Sequence, residues 1–245
     1  MFQRMLASAL FAGAAAGLIA ALLHFAFVQP LIVLGEQYET GALTHFATGS
    51  ALADAAPSAH DHAAGTEDTA HSHAPAAEAT DLQRNGLTVL FMGMVYIAYG
   101  MLLTAGFGLA EGADRHIGPA QGLLWGLTGF AAFQLAPAMG LAPELPGTVA
   151  ADLGARQLWW WSTVAATATA IGLLAYGRRI WMYVLAAVLL AAPHVIGAPQ
   201  PDVFYGTAPP EVAAAFTARV LGTGLLVWAC LGWLGGYFWS RPATA

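Results

Sequence analysis

The chain has 245 residues, of which 58% are hydrophobic and only 9% are charged, and its formal net charge is −6. Soluble domains contain about 25% charged residues, so this composition, with a mean hydropathy of +0.62, excludes a soluble globular protein. We predict an all-α, polytopic membrane protein. Lysine is absent and the arginines are dispersed along the chain, which excludes a basic face for binding nucleic acid.

The first predicted element is a transmembrane helix within residues 1–30. Residues 5–28 are almost entirely apolar, and His24 lies near the end of the run. A signal peptide has a shorter apolar core of about 7–15 residues. We therefore expect this helix to be retained as the first membrane span rather than cleaved.

Residues 31–85 form the second predicted segment, a polar loop rich in histidine and acidic residues. Its middle part, residues 53–79, is rich in alanine and contains no large apolar side chain. Such a segment cannot bury enough surface to offset the entropy lost on ordering, so we predict a flexible loop. Its start is more apolar and, with Glu36 and Glu39, favours a short amphipathic turn at the membrane interface.

The remaining residues, 86–245, are predicted to form a membrane domain with about five further helices. The apolar runs are 87–109, 119–140, 158–176, 180–196 and 220–239. A span needs about 20 residues, so the short run 180–196 is the weakest candidate. We count six spans in total, or five if this run does not cross. They are arranged as three helical hairpins whose polar, proline-broken ends meet on one side of the membrane.

The arginines predict the orientation of these spans. With the N-terminus inside and six spans, the inner segments hold Arg4, Arg115, Arg178, Arg179 and Arg241, and the outer segments hold Arg84, Arg156 and Arg219. An excess of arginine on the inner side is the arrangement that the positive-inside rule requires. We therefore expect a multi-pass protein of the bacterial inner membrane with a cytoplasmic N-terminus, a periplasmic long loop and lipid around its helices.

Two His-x-His pairs in the loop are candidate metal ligands. They are His60 with His62 and His71 with His73, and several carboxylates surround them. Imidazole suits cobalt, nickel, copper and zinc, whereas carboxylates suit harder divalent ions. The pairs therefore indicate capture of a divalent metal outside the membrane. A solvated linker with no metal-binding role is the alternative reading.

Two further histidines lie near the ends of predicted spans. His194 follows Pro193 and precedes Gly197, and proline-disturbed helix ends expose carbonyls that coordinate cations in transporters. Ionisable residues in spans are costly and mark candidate functional sites. We expect His194 and His24 to supply imidazoles along a metal path. The alternatives are histidines satisfied by neighbouring helices or a bis-histidine haem site.

Three acidic residues complete the predicted metal path. Glu144 lies between Pro143 and Pro146, which favours a rigid carboxylate at a pore mouth, although a helix cap or a partner for Arg156 is also open. Glu36 and Glu39 are further mouth ligands or simple surface charges. The sequence contains no Walker A motif, nucleophile elbow or His-Glu-x-x-His motif, so we predict a non-enzyme without a resident cofactor.

Three ordered blocks of the sequence resemble a known family. The first is Gln-Pro-Leu-Ile at 29–32 with Glu36, Tyr38 and Glu39; the second runs from Pro-Glu-Leu-Pro-Gly at 143–147 to Arg-Gln-Leu-Trp-Trp-Trp at 156–161. The third is Pro-His-Val-Ile-Gly-Ala-Pro-Gln-Pro at 193–201. Together they resemble the predicted cobalt transporter subunit family (CbtA type), over nearly the whole chain except residues 53–79.

The resemblance implies a function and a partner. It implies uptake of cobalt as a transported substrate for cobalamin synthesis, beside a small one-helix, histidine-bearing subunit (CbtB type). Nickel is the alternative divalent metal. It also implies five spans, whereas the apolar runs indicate six. A non-conducting metal-binding or scaffold subunit of a transporter is the principal alternative, and a haem-binding membrane protein is a lesser one.

Overall fold

The computed structural model describes residues 2–45 and 77–241, and in these ranges the regular secondary structure is entirely helical. The helices are α1 (Phe2–Leu23), α2 (Gln29–Glu39), α3 (Ala77–Gly112), α4 (Pro119–Phe130), α5 (Ala136–Ala138), α6 (Leu153–Tyr176), α7 (Ile180–Ile196) and α8 (Pro210–Trp239). A π-helical turn at His24–Val28 joins α1 to α2, and a second at Ala131–Leu135 joins α4 to α5.

These elements make six passes between two ends of the molecule, which confirms an all-α, polytopic architecture. Four of the continuous helices are long and apolar enough to cross a membrane, namely Phe2–Glu39, Leu82–Gly112, Leu153–Tyr176 and Pro210–Trp239. The α4–α5 unit and the shorter apolar helix α7 supply the other two passes. The passes pair antiparallel as α1 with α3, α6 with α7, and α4 with α8.

The helices extend further into the predicted loop 31–85 than the hydropathy pattern indicates. On one side, α2 continues α1 as far as Glu39, and on the other α3 begins at Ala77. The first extension is possible because the π-turn accommodates Pro30. The backbone N–H of Gln29 bonds the carbonyl of His24, five residues back, and the wider turn displaces the carbonyl that a proline ring would otherwise meet.

Facing glycines set the closest helix contacts. Gly122 and Gly126 of α4 meet Gly232 and Gly236 of α8, two Gly-x-x-x-Gly motifs on antiparallel helices. A Cβ on Gly126 would lie 2.9 Å from the Cα of Gly232. Small residues allow backbones to approach in membranes, where packing rather than the hydrophobic effect drives association.

The same principle joins α1 to α3. A Cβ on Gly17 would lie 2.7 Å from the Cα of Gly93, and a Cβ on Gly100 would lie 2.9 Å from the carbonyl oxygen of Ala9. The core therefore lies among α1, α3, α4 and α8, where Phe107, Trp228 and other large side chains are buried.

Helices α6 and α7 form a peripheral hairpin. Only Ala186 and Pro193 of α7 are buried, so most of this apolar helix faces outward. The indole N–H of Trp159 donates to the carbonyl of Pro193 at 3.2 Å and joins the two helices. Helix α7 continues through Pro193 to Ile196 and ends at Gly197, whose φ of 87° suits glycine.

A cluster of polar contacts closes the end of the bundle that holds the start of α1. The guanidinium of Arg4 donates to Glu111 Oε1 at 2.7 Å and to the carbonyl of Trp239 at 2.7 Å. The indole N–H of Trp239 also donates to Glu111 at 2.7 Å, and Arg4 lies 4.2 Å above the Trp239 ring. We call the other end, where α2 finishes and α3 begins, the loop end.

Candidate metal-entry site

Two π-turns lie towards the loop end, and each precedes a proline. In the second, the N–H of Ala136 bonds the carbonyl of Ala131, just as Gln29 bonds His24 in the first. Pro30 and Pro137 both follow the last π-helical residue by two positions. Proline lacks the N–H that a helix needs, and π-turns are frequent at functional sites, so both turns are candidates for cation-binding positions.

The first π-turn has a cation built into it. Arg219 of α8 donates to the carbonyl of Phe27 at 3.1 Å. His24 opens this turn, is half-buried, and meets the ring of Phe25 edge-on with a centroid distance of 5.8 Å. Gln29 donates to Asn85 at 3.2 Å and so joins the turn to α3.

The second π-turn borders a cavity of about 450 Å³ between α4–α5, α6 and α8. Its polar lining includes Gln134, Glu144, Arg156 and Gln157, and its aromatic lining includes Phe133, Trp160 and Trp161. The cavity therefore combines apolar walls with a few convergent polar groups, which is the usual character of a binding site.

Glu144 forms an ion pair with Arg156 at one side of this cavity. The carboxylate Oε2 and the guanidinium Nη2 are 3.0 Å apart, and both side chains are about one-third exposed, at 34% and 28%. Arg156 is positioned by the first turn of α6, where Asp152 caps the helix by accepting from the N–H of Ala155 at 2.8 Å. The pair holds Glu144 at the cavity, where a positively charged ion can compete with the guanidinium.

Gln134 is the polar residue of the second π-turn itself. Its Oε1 is buried and accepts no hydrogen bond from any residue that the structure describes. The carboxamide packs against Gly224 of α8, where any Cβ would collide with Oε1. The sequence alone does not identify Gln134 as a candidate ligand, because it is a neutral amide within the apolar run 119–140.

The other predicted ligands lie at separate positions. His194 is half-buried in the last turn of α7, and its ring centroid is 6.2 Å from that of Trp159. Glu36 pairs with Arg84 at 3.6 Å, and Glu39 is exposed at the end of α2. These described ligands, His24, His194, Glu36, Glu39 and Glu144, therefore do not share one centre.

Among residues 2–45 and the described part of 77–241, no three histidine, cysteine, aspartate or glutamate side chains converge as a metal cage. The loop histidines His60, His62, His71 and His73 lie outside the described residues. The described candidate site is thus an open, mixed cavity lined by one carboxylate, that of Glu144, and bordered by Gln134, whose amide oxygen is buried and unpartnered.

Comparison with known proteins gives the family. A family model described as "Probable cobalt transporter subunit (CbtA)" matches residues 2–240, nearly the whole chain. No curated protein and no solved structure matches the chain. The match includes every helix of the bundle and all the residues that line the cavity. The chain therefore belongs to the CbtA family of probable cobalt transporter subunits.

Proposed function

We propose that this chain is a membrane subunit that imports a divalent metal ion, namely cobalt destined for cobalamin synthesis. Membership of the CbtA family supports the metal. The observation that carries the route is the cavity bordering the second π-turn, with Glu144 on its lining. In this proposal Glu144 is the entry ligand and the incoming ion displaces Arg156 from it.

The histidine-bearing segment is attached close to this entrance. Gly35 of α2 packs against Leu145 and Pro146, and Glu39 at the end of α2 lies beside Gly147. The chain therefore leaves α2 next to the segment that carries Glu144. We propose that His60, His62, His71 and His73 collect the ion and raise its concentration at Glu144, with Glu36 and Glu39 as further surface carboxylates.

The arginine distribution supports a periplasmic loop end and a cytoplasmic N-terminus in the inner membrane. In that orientation a divalent cation moving inward gains about 4.6 kcal/mol per 100 mV of inside-negative potential. No energy-coupling domain is needed for entry under that force. The word "subunit" in the family description indicates a partner, and we propose the small one-helix, histidine-bearing protein of CbtB type.

Radioactive cobalt uptake tests the proposal. Cells lacking their own cobalt transporters would express the chain alone or with the CbtB-type partner. We expect uptake, and a several-fold fall on replacing Glu144 by glutamine. Asp202→Asn is the matched control, because Asp202 is an exposed acid in the loop after α7 and does not line the cavity.

Each outcome has a definite meaning. Uptake only with the partner makes the chain one half of a transporter, whereas no uptake in either case favours a non-conducting metal-binding or scaffold subunit. His194→Ala and His24→Ala belong in the same series. Unchanged uptake in both variants would remove the two imidazoles from the proposed path.

Deletion of residues 53–76 tests the role of the loop histidines. The deletion ends before α3 begins at Ala77. A capture segment changes only the local metal concentration, so we expect weaker uptake at scarce cobalt and little change at abundant cobalt. Equal loss at every cobalt concentration would contradict capture.

A further inference from the structure

We propose that Gln134 is a cation-binding position, one step inward from Glu144, at which the imported ion binds the amide oxygen while keeping part of its hydration shell. This inference rests on the proposed function, because it concerns the same cavity. The ion would lie in the seam between α4–α5 and α8, and its protein ligand there would be the amide oxygen of Gln134.

The two π-turns correspond in their position relative to a proline and to α8. Phe27 and Gln134 each lie three residues before a proline that follows a π-turn, and both turns pack against α8. At Phe27 the guanidinium of Arg219 donates to the main-chain carbonyl and so places a cation against the first turn. Within the described residues, no side chain donates to a carbonyl of Ala131–Leu135, so the second turn lacks a built-in cation and faces the cavity instead.

The side-chain oxygen of Gln134 has no hydrogen-bond partner among the described residues. A buried amide oxygen without a donor is costly, because it has lost its water and gained no partner. The close fit of Gln134 against Gly224 holds the carboxamide in this position. A cation that reaches this position supplies the missing partner, because it bonds an amide oxygen directly.

The surroundings favour a cation over an anion. The carboxylate of Glu144 lines the same cavity, and the guanidinium of Arg156 is already paired with it. Amide oxygens suit hard, hydrated divalent ions and discriminate poorly between cobalt and manganese. We therefore expect Gln134 to affect the rate of ion passage rather than the choice of metal. Sites on a transport route must also release the ion, which a single neutral oxygen allows.

The test uses purified protein in proteoliposomes and two readouts, ⁵⁷Co²⁺ uptake and equilibrium ⁵⁷Co²⁺ binding. Gln134→Leu removes the oxygen while keeping the volume, and Gly224→Ala pushes the carboxamide out of its place. We expect each to lower the uptake rate at least tenfold. Gln134→Glu adds a charge, so it should bind Co²⁺ at least tenfold more tightly and release it more slowly. The controls are Gln37→Leu, an exposed glutamine on α2, and Gly222→Ala, a glycine on α8 with no neighbour within 4 Å.

Stability separates a cation site from a structural role. Gln134→Leu removes an unsatisfied polar group, so its thermal stability in detergent should equal or exceed that of the wild type. Lost uptake with retained stability supports the inference, whereas wild-type uptake and binding in Gln134→Leu overturn it and leave the proposed function intact. If the wild type binds Co²⁺ without transporting it, and Gln134→Leu weakens that binding, the site stands and the proposed import fails.

Discussion

Replacing Gly232 by alanine should separate α4 from α8 and destabilise the bundle. The added Cβ would lie 2.6 Å from both the Cα and the N of Gly126, and it would also collide with the carbonyl oxygen of Gly122. Carbon atoms pack at about 3.5–4.0 Å, so the helices must move apart by roughly 1 Å. The colliding atoms belong to the backbone, so no side-chain rotation relieves the contact.

The magnitude follows from two opposing effects. Overpacking costs about 1–3 kcal/mol, and a backbone contact belongs at the upper end of that range. Alanine gains about 1 kcal/mol over glycine inside a helix. The net loss for Gly232→Ala is therefore about 2 kcal/mol. Gly222→Ala in the same helix meets nothing within 4 Å and should gain up to about 1 kcal/mol.

The two variants should thus differ by about 3 kcal/mol, or roughly a hundredfold in the equilibrium constant for unfolding. Reversible unfolding by sodium dodecyl sulfate in mixed micelles, followed by circular dichroism, measures the difference. Gly172→Ala on α6 provides a second control without close neighbours. Equal midpoints for Gly232→Ala and Gly222→Ala would show that the glycine motifs do not set the distance between α4 and α8.

Three further predictions concern named contacts. Arg4→Met and Glu111→Gln should each lower stability by about 1–2 kcal/mol, and a double-mutant cycle should show coupling because the two side chains bond directly at 2.7 Å. Trp159→Phe should cost about 1 kcal/mol by removing the hydrogen bond to the carbonyl of Pro193, and thermal unfolding should show it. Arg219→Met should speed amide hydrogen exchange in the first π-turn, whereas Arg156→Met should not.

The sequence was sufficient to predict which segments pass from one end of the bundle to the other. Apolar runs predicted the helices that form the passes, because a membrane forces backbone groups to bond within a segment. The run 180–196, the weakest of them, has the same bounds as α7. Helix ends beyond the apolar runs were harder to predict, because α2 and the start of α8 are polar enough to resemble loops.

The packing of the passes could not be predicted from hydropathy. The pairing of α4 with α8 depends on Gly122, Gly126 and Gly232, which are far apart in the sequence and become partners only when the helices are aligned. The π-turns also escaped prediction. A proline indicates a break or kink, and the choice of a π-turn instead depends on what the widened helix packs against, here α8.

In the candidate site, too, some residues are recognisable from the local sequence and others only from the folded structure. Glu144 was recognisable because an acid between two prolines is conspicuous, and its pairing with Arg156 was already open as an alternative. Gln134 was not recognisable, because a neutral amide in an apolar run gains meaning only from an unpartnered oxygen and a facing glycine.

An open cavity with few ligands is consistent with import of a divalent ion rather than with its storage. A closed cage of several histidines and carboxylates would bind the ion too tightly for rapid release. Conduction requires binding that is weak enough for the ion to leave each site. In the proposed route, Glu144 shares its charge with Arg156 and Gln134 offers one neutral oxygen, so both proposed sites would bind the ion weakly. Imidazole-rich binding would then belong to the loop pairs, where the metal is collected before it enters the membrane. Collection and passage would be separate steps along the chain, and this separation predicts that replacing the loop histidines lowers uptake only at scarce cobalt, whereas replacing Gln134 lowers the uptake rate at every cobalt concentration.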